Sequence, residues 1–170
     1  NEGVFYRINT TTENEYFLLE YRDGSVWDKY IGGSGVLVYH IDKSDKQRWE
    51  LNQVNSYADH QWADLIEADG RRDVFDTYDD KSFMSMLKNL KGLFFPYSDK
   101  NSLTPISDPG LKCWNQTQLQ FAITDIQVKN GKASFNVVSF SGKSMPKPQN
   151  IKIRSFQDSA IITFECNEEF

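Results

Sequence analysis

The sequence predicts a mainly β protein: an antiparallel, sandwich-like domain with one short helix, followed by the start of a second, truncated β module. Three observations lead there. Apolar runs alternate with polar residues at the two-residue period of a half-buried strand, beginning with Glu15 to Arg22. Aromatic residues make up 14% of the chain, and such side chains suit pleated surfaces. Asn130-Gly131 sits between two strand-like runs, and both residues tolerate the positive φ that a tight hairpin turn requires.

Taken in order, Val4 to Ile8 and Glu15 to Arg22 form a hairpin across the turn residues Asn9 to Asn14. Phe17, Leu19 and Tyr21 share one face of the second strand, with Tyr16, Leu18 and Glu20 on the other. Two largely apolar faces predict a central strand, broken by Asp23-Gly24-Ser25. Gly32-Gly33-Ser34-Gly35 leads into the buried strand Val36 to Asp42, which puts Val36, Val38, His40 and Asp42 on one face. A polar loop from Lys43 to about Gln61 and a strand from Trp62 to Ala68 follow.

Ser82 to Gly92 predicts the helix, with Phe83, Met86, Leu87 and Leu90 at helical spacing, Ser82 as cap and Gly92 at the C-terminal end. An irregular stretch holding Pro96, Pro105 and Pro109 separates it from the hairpin of Phe121 to Val128 and Ala133 to Phe140. The domain therefore spans 1–142, a linker 143–149, and the strands Asn150 to Phe156 and Ser159 to Cys166 open the second module, 150–170. Two strands do not fold alone, so either the module is truncated, the preferred reading, or the last hairpin packs back on the first domain.

A net charge of −5, with no Lys/Arg stripe, argues against nucleic acid as partner. The longest apolar run, near Val36 to Ile41, is too short for a transmembrane segment. Cys113 and Cys166 are too few for a disulfide framework; one bridge or two free thiols both fit. The chain opens at Asn1 with no Met, which fits either a fragment boundary or a processed protein, with room for an export signal upstream.

Glu15-Tyr16-Phe17-Leu18-Leu19-Glu20, Trp27-Asp28 and Gly33-Ser34-Gly35-Val36-Leu37-Val38-Tyr39-His40-Ile41-Asp42 form an ordered series. It continues through Val54-Asn55, His60-Gln61 and Asp64-Leu65-Ile66-Glu67-Ala68-Asp69-Gly70. More loosely it extends to Phe94-Phe95-Pro96, Trp114-Asn115 and Ile123-Thr124-Asp125-Ile126. This series resembles the immune inhibitor A family of secreted zinc metallopeptidases, over roughly the first four-fifths of the chain.

The resemblance implies a non-catalytic region downstream of the zinc-binding helix, supporting the substrate cleft of a secreted or cell-surface metalloendopeptidase. Its partners would be the upstream catalytic region, which carries the zinc, and a protein substrate. The His-Glu-x-x-His helix and the Met-containing turn are missing from this sequence, and Arg71 to Leu93 intervene where the family passes quickly from Asp-Gly to Phe-Pro. From Pro146 onward the tail resembles a fibronectin type III or immunoglobulin-like module, with Phe164 where such modules often carry Trp.

His40 and His60 are the only histidines, and a catalytic zinc takes about three protein ligands. They are expected instead in a structural polar cluster with Asp42, Asn52 and Asn55, because a buried imidazole needs partners. Asp42, on the face of His40, is placed to fix its tautomer, as in a hydrolytic dyad, though no nucleophile stands beside them. Glu20, Asp42, Asp64, Glu67 and Asp69 are candidate paired carboxylates for glycoside hydrolysis. Calcium is weighed at Asp69, Asp73, Asp76, Asp79 and Asp80, whose spacing is not that of an EF-hand, and more weakly at Asp42, Asn52 and Asn55.

Trp27, Trp49, Trp62 and Trp114 offer core plugs or a sugar-stacking platform. The competing functions are therefore an inert metallopeptidase part, an extracellular carbohydrate- or protein-binding β module, and an unrelated hydrolase centred on His40. Two exposed, coplanar tryptophans would favour the second.

Overall fold

The computed structural model describes residues 5–57, 59–71, 90–141, 149–155 and 160–165. The chain divides into two compact units, 1–140 and 141–170. The first is mainly β, built on a four-stranded antiparallel sheet in the order β1-β2-β3-β4. Its strands are β1 (Phe5–Asn9), β2 (Glu15–Arg22), β3 (Gly35–Asp42) and β4 (Ala63–Leu65). A hairpin of β5 (Phe121–Lys129) and β6 (Lys132–Ser139) follows.

The two strands with apolar residues on both faces, β2 and β3, take the sheet centre, where both faces can be covered. Their register sets Phe17 opposite His40, Leu19 opposite Val38, and Glu15 opposite Asp42. Facing pairs share a side of the sheet, so Phe17, Leu19, Val36 and Val38 form one apolar surface. It packs against Ile123 and Ile126 of β5 and against Phe95, Leu103, Leu111 and Leu119 of the irregular stretch, all essentially buried. Each such side chain contributes about 1.5–3 kcal/mol on leaving water. Phe121 meets Phe17 edge-on at 6.3 Å, and Phe135 meets Tyr6 edge-on at 5.3 Å, which completes the sandwich-like packing.

The irregular stretch is bound to the sheet by backbone. Val36 and Phe95 exchange hydrogen bonds of 2.8 and 2.9 Å, and Leu103 and Ile123 exchange bonds of 2.7 and 2.8 Å. Gly35 is required at the first junction: its φ is +146°, and a Cβ there would lie 2.7 Å from the Phe95 carbonyl oxygen. In the β5–β6 turn Asn130 and Gly131 adopt φ of 51° and 69°, as the hairpin signal demands.

Three elements differ from the sequence expectation. The loop after β3 contains a short helix, α1 (Lys46–Glu50), started by Asp45, whose carboxylate accepts the Arg48 N–H at 3.2 Å. Asn52, at φ 54°, ends it in the left-handed conformation. A 3₁₀ turn, Val26–Tyr30, joins β2 to β3. The strand expected at Trp62 to Ala68 narrows to Ala63–Leu65, although Ile66 N–H still bonds Val38 O at 2.9 Å. Of the helix expected at Ser82 to Gly92, Leu90 and Lys91 are helical; its body lies outside the described residues, as does most of the 143–149 linker.

The second unit contains a two-stranded antiparallel hairpin, β7 (Gln149–Ser155) and β8 (Ala160–Glu165). Cys113 is a buried free thiol, and Cys166 lies outside the described residues.

Candidate functional site

The polar end of the central strand pair carries the site. The register makes Glu15 and Asp42 cross-strand neighbours, each about 4% exposed. Two like charges directly opposite one another destabilise a sheet unless each has its own donors. Here each carboxylate has a separate histidine. Glu15 Oε1 lies 2.7 Å from His40 Nε2 and 2.8 Å from the Trp114 backbone nitrogen. Asp42 Oδ2 lies 2.9 Å from His60 Nε2, and its Oδ1 accepts the Ser44 N–H at 2.8 Å. Carboxylate oxygens accept, so each imidazole donates its Nε2–H.

Rings stack through this polar pair. Phe17 and His40 lie 4.8 Å apart at 18°, and His40 and Trp114 lie 5.5 Å apart at 11°. Trp114 and His60 follow at 4.5 Å and 23°, then His60 and Trp62 at 4.1 Å and 8°. The result is a column, Phe17–His40–Trp114–His60–Trp62, running from the core outward. The Arg48 guanidinium of α1 lies 5.2 Å from the centre of the Trp62 ring and 4.3 Å from that of Tyr57. Trp49, also on α1, donates its indole N–H to the Asp42 carbonyl at 2.8 Å, so the helix anchors the base of the site. The indole N–H groups of Trp62 and Trp114 are buried without an acceptor among the described residues. Stacking and packing therefore fix these two rings.

Burial holds the pKa of His40 below its ordinary value, against the opposing pull of Glu15 and Asp42. The neutral imidazole forms part of the wall of an open cleft of about 250 Å³. Gln61, the segment from Asp64 to Glu67, Gly70 and Arg71 line the cleft together with residues between Asp108 and Gln116.

The tautomer-fixing partner of His40 is thus Glu15; Asp42, expected in that role, serves His60. Glu15 was missed because only the register reveals it, although it lies on the Phe17 face at the two-residue period. Asn52 and Asn55 are exposed on the loop, and their side chains stand outside the paired network. Val54 contributes through its backbone, accepting the Trp62 N–H at 2.8 Å.

A carboxylate-oriented neutral imidazole is half of a hydrolytic centre. Cys113 is the thiol on the cleft lining, but it is 1% exposed, and burial pushes its pKa up. That keeps it protonated and a poor nucleophile. The site does not fit zinc either: each histidine is spent on its own carboxylate, and the Trp114 ring separates the two imidazoles. Among the described residues no three His, Cys, Asp or Glu side chains converge as metal ligands.

Asp69, the described member of the calcium candidates, accepts the Arg71 N–H at 3.0 Å, and its carbonyl accepts from Lys100 Nζ at 3.1 Å. Asp73, Asp76, Asp79 and Asp80 lie outside the described residues. Of the candidate glycosidase carboxylates, Glu20 sits in a different network, accepting from Tyr39 and Arg22. Trp62 and Trp114 each stack on His60, which occupies the ring faces a sugar would need, and Trp62 is buried. Trp27 stands apart, 92% exposed on the 3₁₀ turn. Comparison with protein-family models, with curated proteins and with solved structures finds no match to this chain.

Proposed function

We propose that this chain is a non-catalytic, cleft-supporting unit of a secreted zinc metalloendopeptidase of the immune inhibitor A type. One observation carries the proposal. Segments of the resembling series that are far apart in sequence supply one site: Glu15, His40 with Asp42, His60 with Gln61, Asp64 to Gly70, and Trp114. The Glu15–His40 and Asp42–His60 pairs thus stand directly behind an open cleft that His40 and Trp114 help to line. The paired histidines and the ring column make that wall rigid, and rigidity in a wall is what positions a substrate for a metal held elsewhere.

The proposal places the zinc and its general base on an upstream His-Glu-x-x-His helix, with this chain supplying no reacting group. The test is to read the coding sequence upstream of Asn1 and to express the longer polypeptide. The expected result is a His-Glu-x-x-His segment and chelator-sensitive cleavage of casein. An upstream region without that segment, or a longer polypeptide that leaves casein intact with zinc supplied, contradicts the proposal.

A further inference from the structure

The 3₁₀ turn Val26–Tyr30 buries none of its residues. Val26, Trp27 and Tyr30 are 78%, 92% and 84% exposed, so one turn holds three large apolar side chains in water. Val26 has a φ of 48°, a left-handed conformation that a β-branched residue rarely takes. The turn is braced all the same. Asp28 N–H bonds Ser25 O at 2.8 Å, and the Arg22 guanidinium holds the Asp28 carboxylate at 3.0 Å. A strained, braced turn that keeps its apolar residues out of the core points to a ligand outside it.

The neighbouring hollow narrows the choice of ligand. Lys29 of the turn lines an open hollow of about 540 Å³, together with Asp23, Ser34, Lys91, Phe94 and Tyr97. Its charges are not spent on one another. Among the described residues Asp23, Lys29 and Lys91 form no ion pair. Lys29 Nζ lies 5.5 Å from the centre of the Tyr30 ring, and Asp23 accepts the Ser25 N–H at 2.7 Å. One hollow therefore presents two ammonium groups, a carboxylate and two aromatic rings.

We propose that this face seats on a phosphatidylcholine bilayer, with Val26, Trp27 and Tyr30 in the headgroup layer and one phosphocholine in the hollow. Lys29 and Lys91 meet the phosphate, while Asp23 and the rings of Phe94 and Tyr97 take the quaternary ammonium. Unpaired charges of both signs select a zwitterion: a simple anion would meet Asp23, and a simple cation two lysines. The net charge of −5 also opposes a strongly anionic membrane. Trp and Tyr, with apolar bodies and a polar tip, settle at the depth of lipid headgroups. The inference goes beyond the proposed peptidase role and does not rest on it.

The test is partition of the purified chain onto phosphatidylcholine vesicles, read by cosedimentation and tryptophan emission. Phosphatidylglycerol vesicles and free phosphocholine form the parallel arms. The expected result is binding to phosphatidylcholine with a blue-shifted emission that brominated acyl chains quench, and no shift with free phosphocholine. Trp27→Ala should weaken partition by at least about tenfold, because the burial of a whole aromatic side chain is lost. Lys29→Gln combined with Lys91→Gln should weaken it about tenfold, by removing the charged donors to phosphate. Asp23→Asn keeps an acceptor for Ser25 but loses the charge, and should turn the preference towards phosphatidylglycerol. All four positions are exposed, so unfolding midpoints in urea should match the parent's.

No partition, tighter binding to phosphatidylglycerol than to phosphatidylcholine, or undiminished binding by Trp27→Ala would overturn the proposal. An emission shift produced in full by free phosphocholine would overturn the bilayer as the occupant. So would self-association without vesicles that Trp27→Ala abolishes, since the face would then cover a second copy of the chain.

Discussion

His40 and Glu15 show what a single buried pair asks of its surroundings. The side chains are 6% and 3% exposed, and neither reaches bulk water for compensation. Removing the imidazole strands a buried carboxylate, which costs about 3–5 kcal/mol for a fully buried pair. His40→Ala should therefore lower unfolding free energy by about 3 kcal/mol in urea titration, whereas Asn55→Ala, on the exposed loop, should change it by less than about 0.5 kcal/mol. The depressed pKa of His40 fixes a pH dependence as well. Below its ordinary value near 6.5 the unfolded chain takes up a proton that the folded chain resists, so stability should fall as pH drops from 7 through the unfolded pKa and level off below the folded one. Urea midpoints between pH 7 and 5 test this, and His40→Gln should flatten the slope. Tyr39 behaves oppositely. Burial and its bond to Glu20 push its pKa up to about 12, so its contribution is complete below pH 10 and is lost as pH rises towards 12. Ultraviolet titration should find one tyrosine ionising late, and Tyr39→Phe should remove that phase.

Backbone conformation separates two glycines at the level of elements. Gly35 occupies a region closed to side chains and touches the Phe95 carbonyl, whereas Gly131 sits at φ 69° with open space around its Cα. Gly35→Ala should cost more than about 2 kcal/mol by thermal or urea melting, and Gly131→Ala about 1 kcal/mol. These strands and the Asn130-Gly131 turn were legible in the sequence because alternation and turn chemistry are local. Glu15 to Arg22 and Val36 to Asp42 announce themselves as strands with two apolar faces, and both lie at the sheet centre. Helix α1 was hidden because it holds a single apolar residue, Trp49, and so shows no helical periodicity. Its Asp45 cap and the Lys46–Glu50 pair are the signals that could have found it. The site was half legible. His40, Asp42 and His60 stand out as rare polar residues near a buried strand, but the partnering of Glu15 with His40 depends on a strand register that no local pattern encodes. Trp114 reaches His40 across 74 residues, and proximity of that kind comes from the tertiary fold.

At the scale of the whole molecule, the core that carries the site belongs to the first unit, 1–140. A shortened chain ending at Phe140 should melt in one cooperative transition and keep the amide pattern of His40, His60 and Trp114, as heteronuclear NMR would show. Loss of folding would mean that the tail completes the core. The central claim is that this unit supports a cleft and does no chemistry, and a fluorogenic-peptide assay on the purified chain tests it most directly. With zinc supplied, turnover should equal that of the chelator control, and His40→Ala and His60→Ala should not change it. Chelator-sensitive hydrolysis that either substitution abolishes would contradict the account and make the paired histidines catalytic.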